Sequence, residues 1–266
     1  MHLLPFRGRA IILTALSFGL ILSCKKDNNP TPPPVSDVHL KNGLLVYLPF
    51  QGNMADSSGN GNSTAPLPGT TLTYDEHGTP NNAFGGTGNG EGIQVINNGS
   101  IKFDTAFSVS FDFMIRSFGT NTLFSMSDYN TGKGVSFDIS TGIPGYQNLV
   151  FGVANAQNGC DQYPSNVTNM TTDTTGFIPQ PESWYNLIAI FQSGTLKVYI
   201  NGKLISTKTS NSHTVMICPT ASLMVSGWWA GGQYASLNGK MDEVRLYNRV
   251  LNADEISTLA KNSNDY

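Results

Sequence analysis

Gly239-Lys240-Met241-Asp242-Glu243-Val244-Arg245-Leu246-Tyr247-Asn248-Arg249-Val250-Leu251-Asn252-Ala253-Asp254-Glu255-Ile256 reads as a strand that runs straight into a short helix. Successive strand side chains alternate, so Val244 and Leu246 share one face and Glu243, Arg245 and Tyr247 the other. The same alternation places Asp242 with Val244 and Leu246, on the face that points into a core. An inward carboxylate is costly unless something pairs with it. At the rim of a sheet the partners are loop amides or a metal ion. Asn252 then opens the helix, with Glu255 three residues on, the spacing of a capping box. Ile256 and Leu259 supply the helix's buried stripe.

The rest of the chain suits a closing element of this kind. At 266 residues there is room for one large or two small domains. Only 12% of residues are charged, 28 are glycine, and the apolar residues come in short runs. That is the composition of an all-β domain with many turns. The formal net charge is −3 and the body of the chain has no Lys/Arg cluster, which excludes nucleic acid as a partner. No internal repeat recurs at a fixed period.

In chain order, Leu44–Phe50 is the first strand, with Pro49 at its end. The loop from Gln51 to Asn62 is dense in carboxylate, amide and turn residues. It offers oxygens to a hard cation, or to its own backbone. Ala83-Phe84-Gly85 begins a glycine-rich turn that holds no G-x-G-x-x-G and no Walker sequence, so it is no nucleotide site. Ser108–Ile115 alternates cleanly, with Val109, Phe111, Phe113 and Ile115 inward and Ser108, Ser110, Asp112 and Met114 opposite. Strands follow near Leu123–Met126, Val135–Ile139 and Leu149–Val153. Ala154–Glu182 is long and polar, a length that in a compact domain marks function or disorder. Trp184–Gln192 is apolar on both faces, which predicts a central strand covered on both sides. Leu196, Val198 and Ile200 alternate up to Asn201-Gly202, a strong hairpin signal. Leu204–Lys208 and Leu223–Trp229 are the next strands.

The first residues form an address. Arg7 and Arg9 precede the apolar run Ala10–Leu22, which is too short to span a bilayer. Its end, Ile21-Leu22-Ser23-Cys24, resembles the lipobox of bacterial lipoproteins, although Leu22 departs from the small residue usual there. The resemblance implies a signal peptide over 1–23 and a lipid anchor at Cys24. It also implies an outer-membrane lipoprotein, periplasmic or surface-exposed. Residues 24–37, with Pro30, Pro32, Pro33 and Pro34, read as an extended tether, and 38–266 as the folded domain. Cleavage removes Arg7 and Arg9 and no acid, leaving a more acidic mature chain. In an exported chain Cys160 and Cys218 are either a disulfide or two free thiols. Sequence does not say which.

Several segments together resemble the laminin-G-like, concanavalin A-like lectin/glucanase family. They are Tyr47-Leu48-Pro49-Phe50-Gln51-Gly52-Asn53 with Asp56–Asn62; Ala83-Phe84; Phe107–Phe111; Trp184 with Val198–Gly202; and Gly239–Leu251. The resemblance implies an all-β fold, a two-sheet antiparallel jelly-roll sandwich with a short C-terminal helix. It implies that the first and last strands are neighbours and that Trp184 is core. It further implies a structural calcium ion held by Asn53, Asp56 and Asp242, although Gln51 stands where the family often has an acid. The alternative is a metal-free corner in which Asp242 caps loop amides.

Enzymes of this fold place carboxylates at alternate positions of one strand, and no E-x-D-x-E occurs here. Asp242 and Glu243 are adjacent and should face opposite ways. H-E-x-x-H and G-x-S-x-G are also missing, so the chain is expected not to be an enzyme. The leading expectation is a polysaccharide or glycan ligand. Sugars stack on exposed aromatics and take hydrogen bonds from amides and carboxylates. Trp228, Trp229, Tyr234 and Tyr163 are the candidates, against the alternative that both tryptophans are buried. The other functional class is a protein-interaction or adhesion module without a sugar site. Oligomeric state is left open.

Overall fold

The structure is a computed structural model that describes residues 39–142, 147–154, 159–161, 170–211, 213–228 and 235–262. The expected signal peptide and tether fall outside them. A short 3-10 turn at His39–Lys41 leads into β1 (Leu44–Leu48), β2 (Ser63–Pro66), β3 (Thr71–Thr73), β4 (Ala83–Thr87) and β5 (Ile93–Ile96). Next come β6 (Ala106–Ile115), β7 (Asn121–Asp128), β8 (Phe137–Thr141), β9 (Leu149–Ala154) and β10 (Met170–Thr174). The chain ends with β11 (Trp184–Gln192), β12 (Thr195–Ile200), β13 (Lys203–Thr209), β14 (Ala221–Val225), β15 (Asn238–Tyr247) and α1 (Ala253–Asn262).

Two antiparallel sheets make a jelly-roll sandwich. One has eight strands in the order β13-β12-β11-β6-β15-β4-β3, with β1 also on β15. The other has seven, in the order β10-β9-β8-β7-β14-β5-β2. The first and last strands are neighbours, with Val46 opposite Leu246. Alternation in β6 sends Phe107, Val109, Phe111, Phe113 and Ile115 into the space between the sheets. There Phe107 packs 5.1 Å from Phe137 of the facing sheet and 5.8 Å from Phe191 of its own. Ring pairs at such distances add to the transfer of apolar surface from water. Asn201 and Gly202, both at positive φ, close the β12–β13 hairpin.

A smaller apolar layer covers the outer face of the eight-stranded sheet. Ile188 and Ile190 of β11 and Tyr247 of β15 meet Leu40, Leu251, Ile256 and Leu259. This second layer is why β11 reads as apolar on both faces. The capping box forms as its spacing predicts. Asn252 N donates to Glu255 Oε2 (2.9 Å), and Glu255 N to Asn252 Oδ1 (3.0 Å). Arg249 adds two bonds to the same carboxylate, at 2.7 and 2.6 Å.

Four sequence expectations are corrected. A β-bulge interrupts β15: Asp242 faces Asp112 and Arg245 faces Ser110, so β15 carries one extra residue. Glu243, at φ 53°, absorbs it. Asp242 therefore leaves the core face, and Met241 takes the inward position. Ala83–Gly85 is no turn; it opens β4, which pairs with both β3 and β15. The polar stretch 154–182 contains a strand, β10. Trp184 is half-buried on the outer face, with Lys240 Nζ 5.9 Å from its ring, instead of in the core. Cys160 and Cys218 are joined in a disulfide, with Cα atoms 5.6 Å apart.

Candidate functional site

On the outer face of the seven-stranded sheet, small polar residues form a strip around Met224 of β14. In β7, Phe124 and Met126 enter the core, so Ser125 and Ser127 take the outer positions. Asp138 of β8 lies opposite Ser125, and Ser222 of β14 opposite Ser127. Gln94 of β5 donates to Ser222 Oγ at 3.1 Å. The result is a strip of hydroxyls, one amide and one carboxylate across four strands. Past the end of β14, Ser226 (φ 61°) and Gly227 (φ 93°) turn the chain back over this strip. Ser125 Oγ donates to the Gly227 carbonyl (3.1 Å) and Ser127 Oγ to the Trp228 carbonyl (2.8 Å).

Those two bonds fix Trp228 on the strip. Its side chain is half-buried, and its Nε1 is buried with no hydrogen-bond partner. Asp138 Oδ2 accepts from Ser140 Oγ (3.0 Å), while Asp138 Oδ1 is buried and unpartnered. Burial raises the Asp138 carboxyl to about 6, against the opposing pull of the Ser140 bond. A buried donor and a buried acceptor without partners are each costly.

A second polar region, a cavity of about 780 Å³, lies on the eight-stranded sheet. Asp112 and Asp242 are cross-strand partners there, Asp75 and Glu76 come from the β3–β4 connection, and Glu243 comes from the bulge. The sequence reading set Asp242 and Glu243 on opposite faces, but the bulge turns both toward this cavity. Asn186 Nδ2 donates to Asp112 Oδ1 (2.7 Å). Tyr47 Oη donates to Glu243 (3.0 Å), which also pairs with Arg245. The Arg245 guanidinium lies 4.2 Å from the Tyr47 ring centre. Burial, then the charges of Asp112 and Asp75, raise Glu76 to about 8. Burial, then Glu243, Asp112 and Asp75, raise Asp242 to about 9, against one backbone hydrogen bond.

Two of the three expected calcium ligands, Asp56 and Asn53, accept hydrogen bonds from donors close by. Asp56 Oδ1 accepts from Tyr47 N (2.9 Å) and Ser58 N (3.0 Å). Its Oδ2 accepts from Ser58 Oγ (2.7 Å) and Asn62 Nδ2 (2.8 Å). A carboxylate has about four lone-pair positions, and these bonds fill them. Asn53 Oδ1 accepts from Ala55 N in a local turn (2.9 Å). Of the three residues, only Asp242 opens into the carboxylate cavity. Among the described residues no three His, Cys, Asp or Glu side chains are grouped to hold a metal ion.

Trp228 is the one expected sugar-binding residue that can be placed; Trp229, Tyr234 and Tyr163 lie outside the described residues, as does Cys24. Trp228 sits beyond its strand, since β14 ends at Val225, so strand alternation says nothing of where it points. Sequence reasoning missed Ser125, Ser127 and Asp138. The alternation of Phe124 and Met126, and of Phe137 and Ile139, could have found them. It also missed Asp75 and Glu76, for which no local signal existed.

The family model described as the concanavalin A-like lectin/glucanases superfamily, Laminin_G_3, matches residues 87–257. Among curated proteins nothing matches the chain. One similar solved structure is domain 4 of AbnA, a GH43 extracellular arabinanase from Geobacillus stearothermophilus, in complex with arabinotriose. It is 21% identical with a TM-score of 0.58, over 82% of this chain and 98% of that one. The binding domain of Paraclostridial Mosquitocidal Protein 1 is 18% identical with a TM-score of 0.64, over 84% of this chain and 53% of that one. The botulinum neurotoxin serotype D ligand binding domain in complex with N-acetylneuraminic acid is 14% identical with a TM-score of 0.58, over 84% and 51%. The chain thus spans about half the length of the two toxin domains.

Proposed function

The chain belongs to the concanavalin A-like lectin/glucanases superfamily, and from that premise we propose that it is a non-catalytic carbohydrate-binding module displayed on a lipid anchor. One observation carries the reading. On the hydroxyl-lined outer face of the seven-stranded sheet, Trp228 Nε1 and Asp138 Oδ1 are buried without partners. A sugar hydroxyl both donates and accepts, so it matches the chemistry of both atoms. The similar domains solved with arabinotriose and with N-acetylneuraminic acid support a glycan as the ligand class. Anchoring through Cys24 rests on the lipobox resemblance alone.

No calcium is assigned to Asn53, Asp56 and Asp242, because Asp56 has no open acceptor position and Asn53 serves its own turn. The test is a glycan array probed with the mature chain, with arabino-oligosaccharides and sialosides included, followed by calorimetry on each hit. Saturable binding to one glycan class is expected, weakened about tenfold or more in Trp228→Ala, since losing one aromatic platform costs roughly 1–3 kcal/mol. Added calcium should leave both affinity and melting temperature unchanged. Cleavage products from any bound glycan would overturn the non-catalytic part. A blank array, with a protein captured instead, would favour the adhesion module.

A further inference from the structure

The outer face of the eight-stranded sheet carries two cavities of opposite charge. One is the cavity lined by Asp75, Glu76, Asp112, Asp242 and Glu243. The other is an open groove of about 910 Å³ between α1 and the strands β11 and β12. Ile190 and Tyr199 give it an apolar and aromatic floor. Lys197, Lys203 and Lys261 line it, from β12, β13 and α1, and among the described residues no Asp or Glu does. All three lysines are exposed, and none forms an ion pair among the described residues. A chain of net charge −3 has thus gathered three lysines at one concave place.

We propose that this groove binds an acidic polysaccharide, a glycan bearing uronate carboxylates along hydroxyl-rich rings. The lysine ammonium groups suit single carboxylates, each as a point charge with three donors. The Tyr199 ring suits the C–H face of a pyranose. The Gln192 amide, also in the lining, suits its hydroxyls. The apolar and aromatic floor sets this ligand apart from denser polyanions. A long polyphosphate meets the repulsion of the whole acidic chain, whereas a uronate chain brings one charge per ring. An anionic lipid surface fits less well, because the lysines surround a recess. The groove lies on the opposite sheet from Trp228, so the proposal does not rest on the reading given above.

The probe is an oligogalacturonate, titrated calorimetrically into the mature chain at low and at raised salt. Binding is expected at low salt and should weaken as salt screens the exposed charges. The K197Q/K203Q/K261Q variant should lose about tenfold or more in affinity, since each exposed charge contact is worth a few-fold. The corresponding triple Lys→Arg variant should retain binding. Trp228→Ala should leave it unchanged, and the methyl-esterified oligomer, which has lost its charges, should not bind. A melting curve for each variant reports the fold. The proposal is overturned if oligogalacturonate does not bind, or if the Gln variant binds it as tightly as the parent. Equal affinity for polyglutamate or duplex DNA would also overturn it, because the groove would then read charge alone.

Discussion

Asp242 and Glu76 are the residues through which pH acts most directly on this fold. Their ordinary values are 3.8 and 4.5, and folding raises them to about 9 and about 8, chiefly by burial. A carboxyl whose folded value is raised gives its full stabilisation below the unfolded value. That contribution declines as pH rises toward the folded value, because the unfolded chain gives up the proton first. Asp138, raised to about 6, acts in the same direction over the lower part of the window. Glu91 and Asp128 are lowered instead, so their contributions are lost only as pH falls below the ordinary carboxylate range. The expected outcome is a melting temperature that falls steadily between about pH 5 and pH 9. Asp242→Asn, which cannot ionise, should flatten that slope. A melting temperature that instead rose with pH over this window would contradict the assignment.

The closing strand and helix show how far an element can be read before it is seen. The capping box was legible because its two partners lie three residues apart, and both of its hydrogen bonds form. Asn252→Ala should cost about 1 kcal/mol, the usual size of a lost N-cap. Glu255→Ala should cost more, because it also strips two charge-assisted bonds from Arg249. Urea unfolding checks both, with a lower midpoint at unchanged slope. The bulge ahead of the helix was not legible. Glu243 gives no sequence sign of a positive φ, and the extra residue appears only when β15 is laid against β6. That one residue moves Asp242 from the expected core face to a cavity beside Glu243.

At the scale of the whole molecule, the disulfide joins residues 58 apart in sequence, Cys160 and Cys218. Closing a loop of that size restricts the unfolded chain, so Cys218→Ser should cost about 2–4 kcal/mol. Chemical denaturation of the oxidised parent and the variant measures it. Gly134 sits against this bridge: a Cβ there would lie 2.8 Å from Cys218 Sγ and 2.9 Å from the Cys160 carbonyl oxygen. The two functional proposals use opposite faces of the sandwich, the Trp228 strip on one sheet and the lysine groove on the other. Variants at one should therefore leave the other's ligand unaffected, as expected for distant, independent sites.

By itself the sequence determined the two-sheet class, the inward faces of β6 and β12, the Asn201-Gly202 hairpin and the helix cap. Each depends on spacings of a few residues, which alternation and capping chemistry express locally. Only the tertiary structure decided the half-buried place of Trp184 and the pairing of Cys160 with Cys218. The same holds for the filling of Asp56 by strand and loop donors, the gathering of five carboxylates into one cavity and of three lysines into another. These depend on which strands become neighbours and in what register. Register is a balance among pairings far apart in the chain, and a single bulge alters it without leaving a mark in the local pattern.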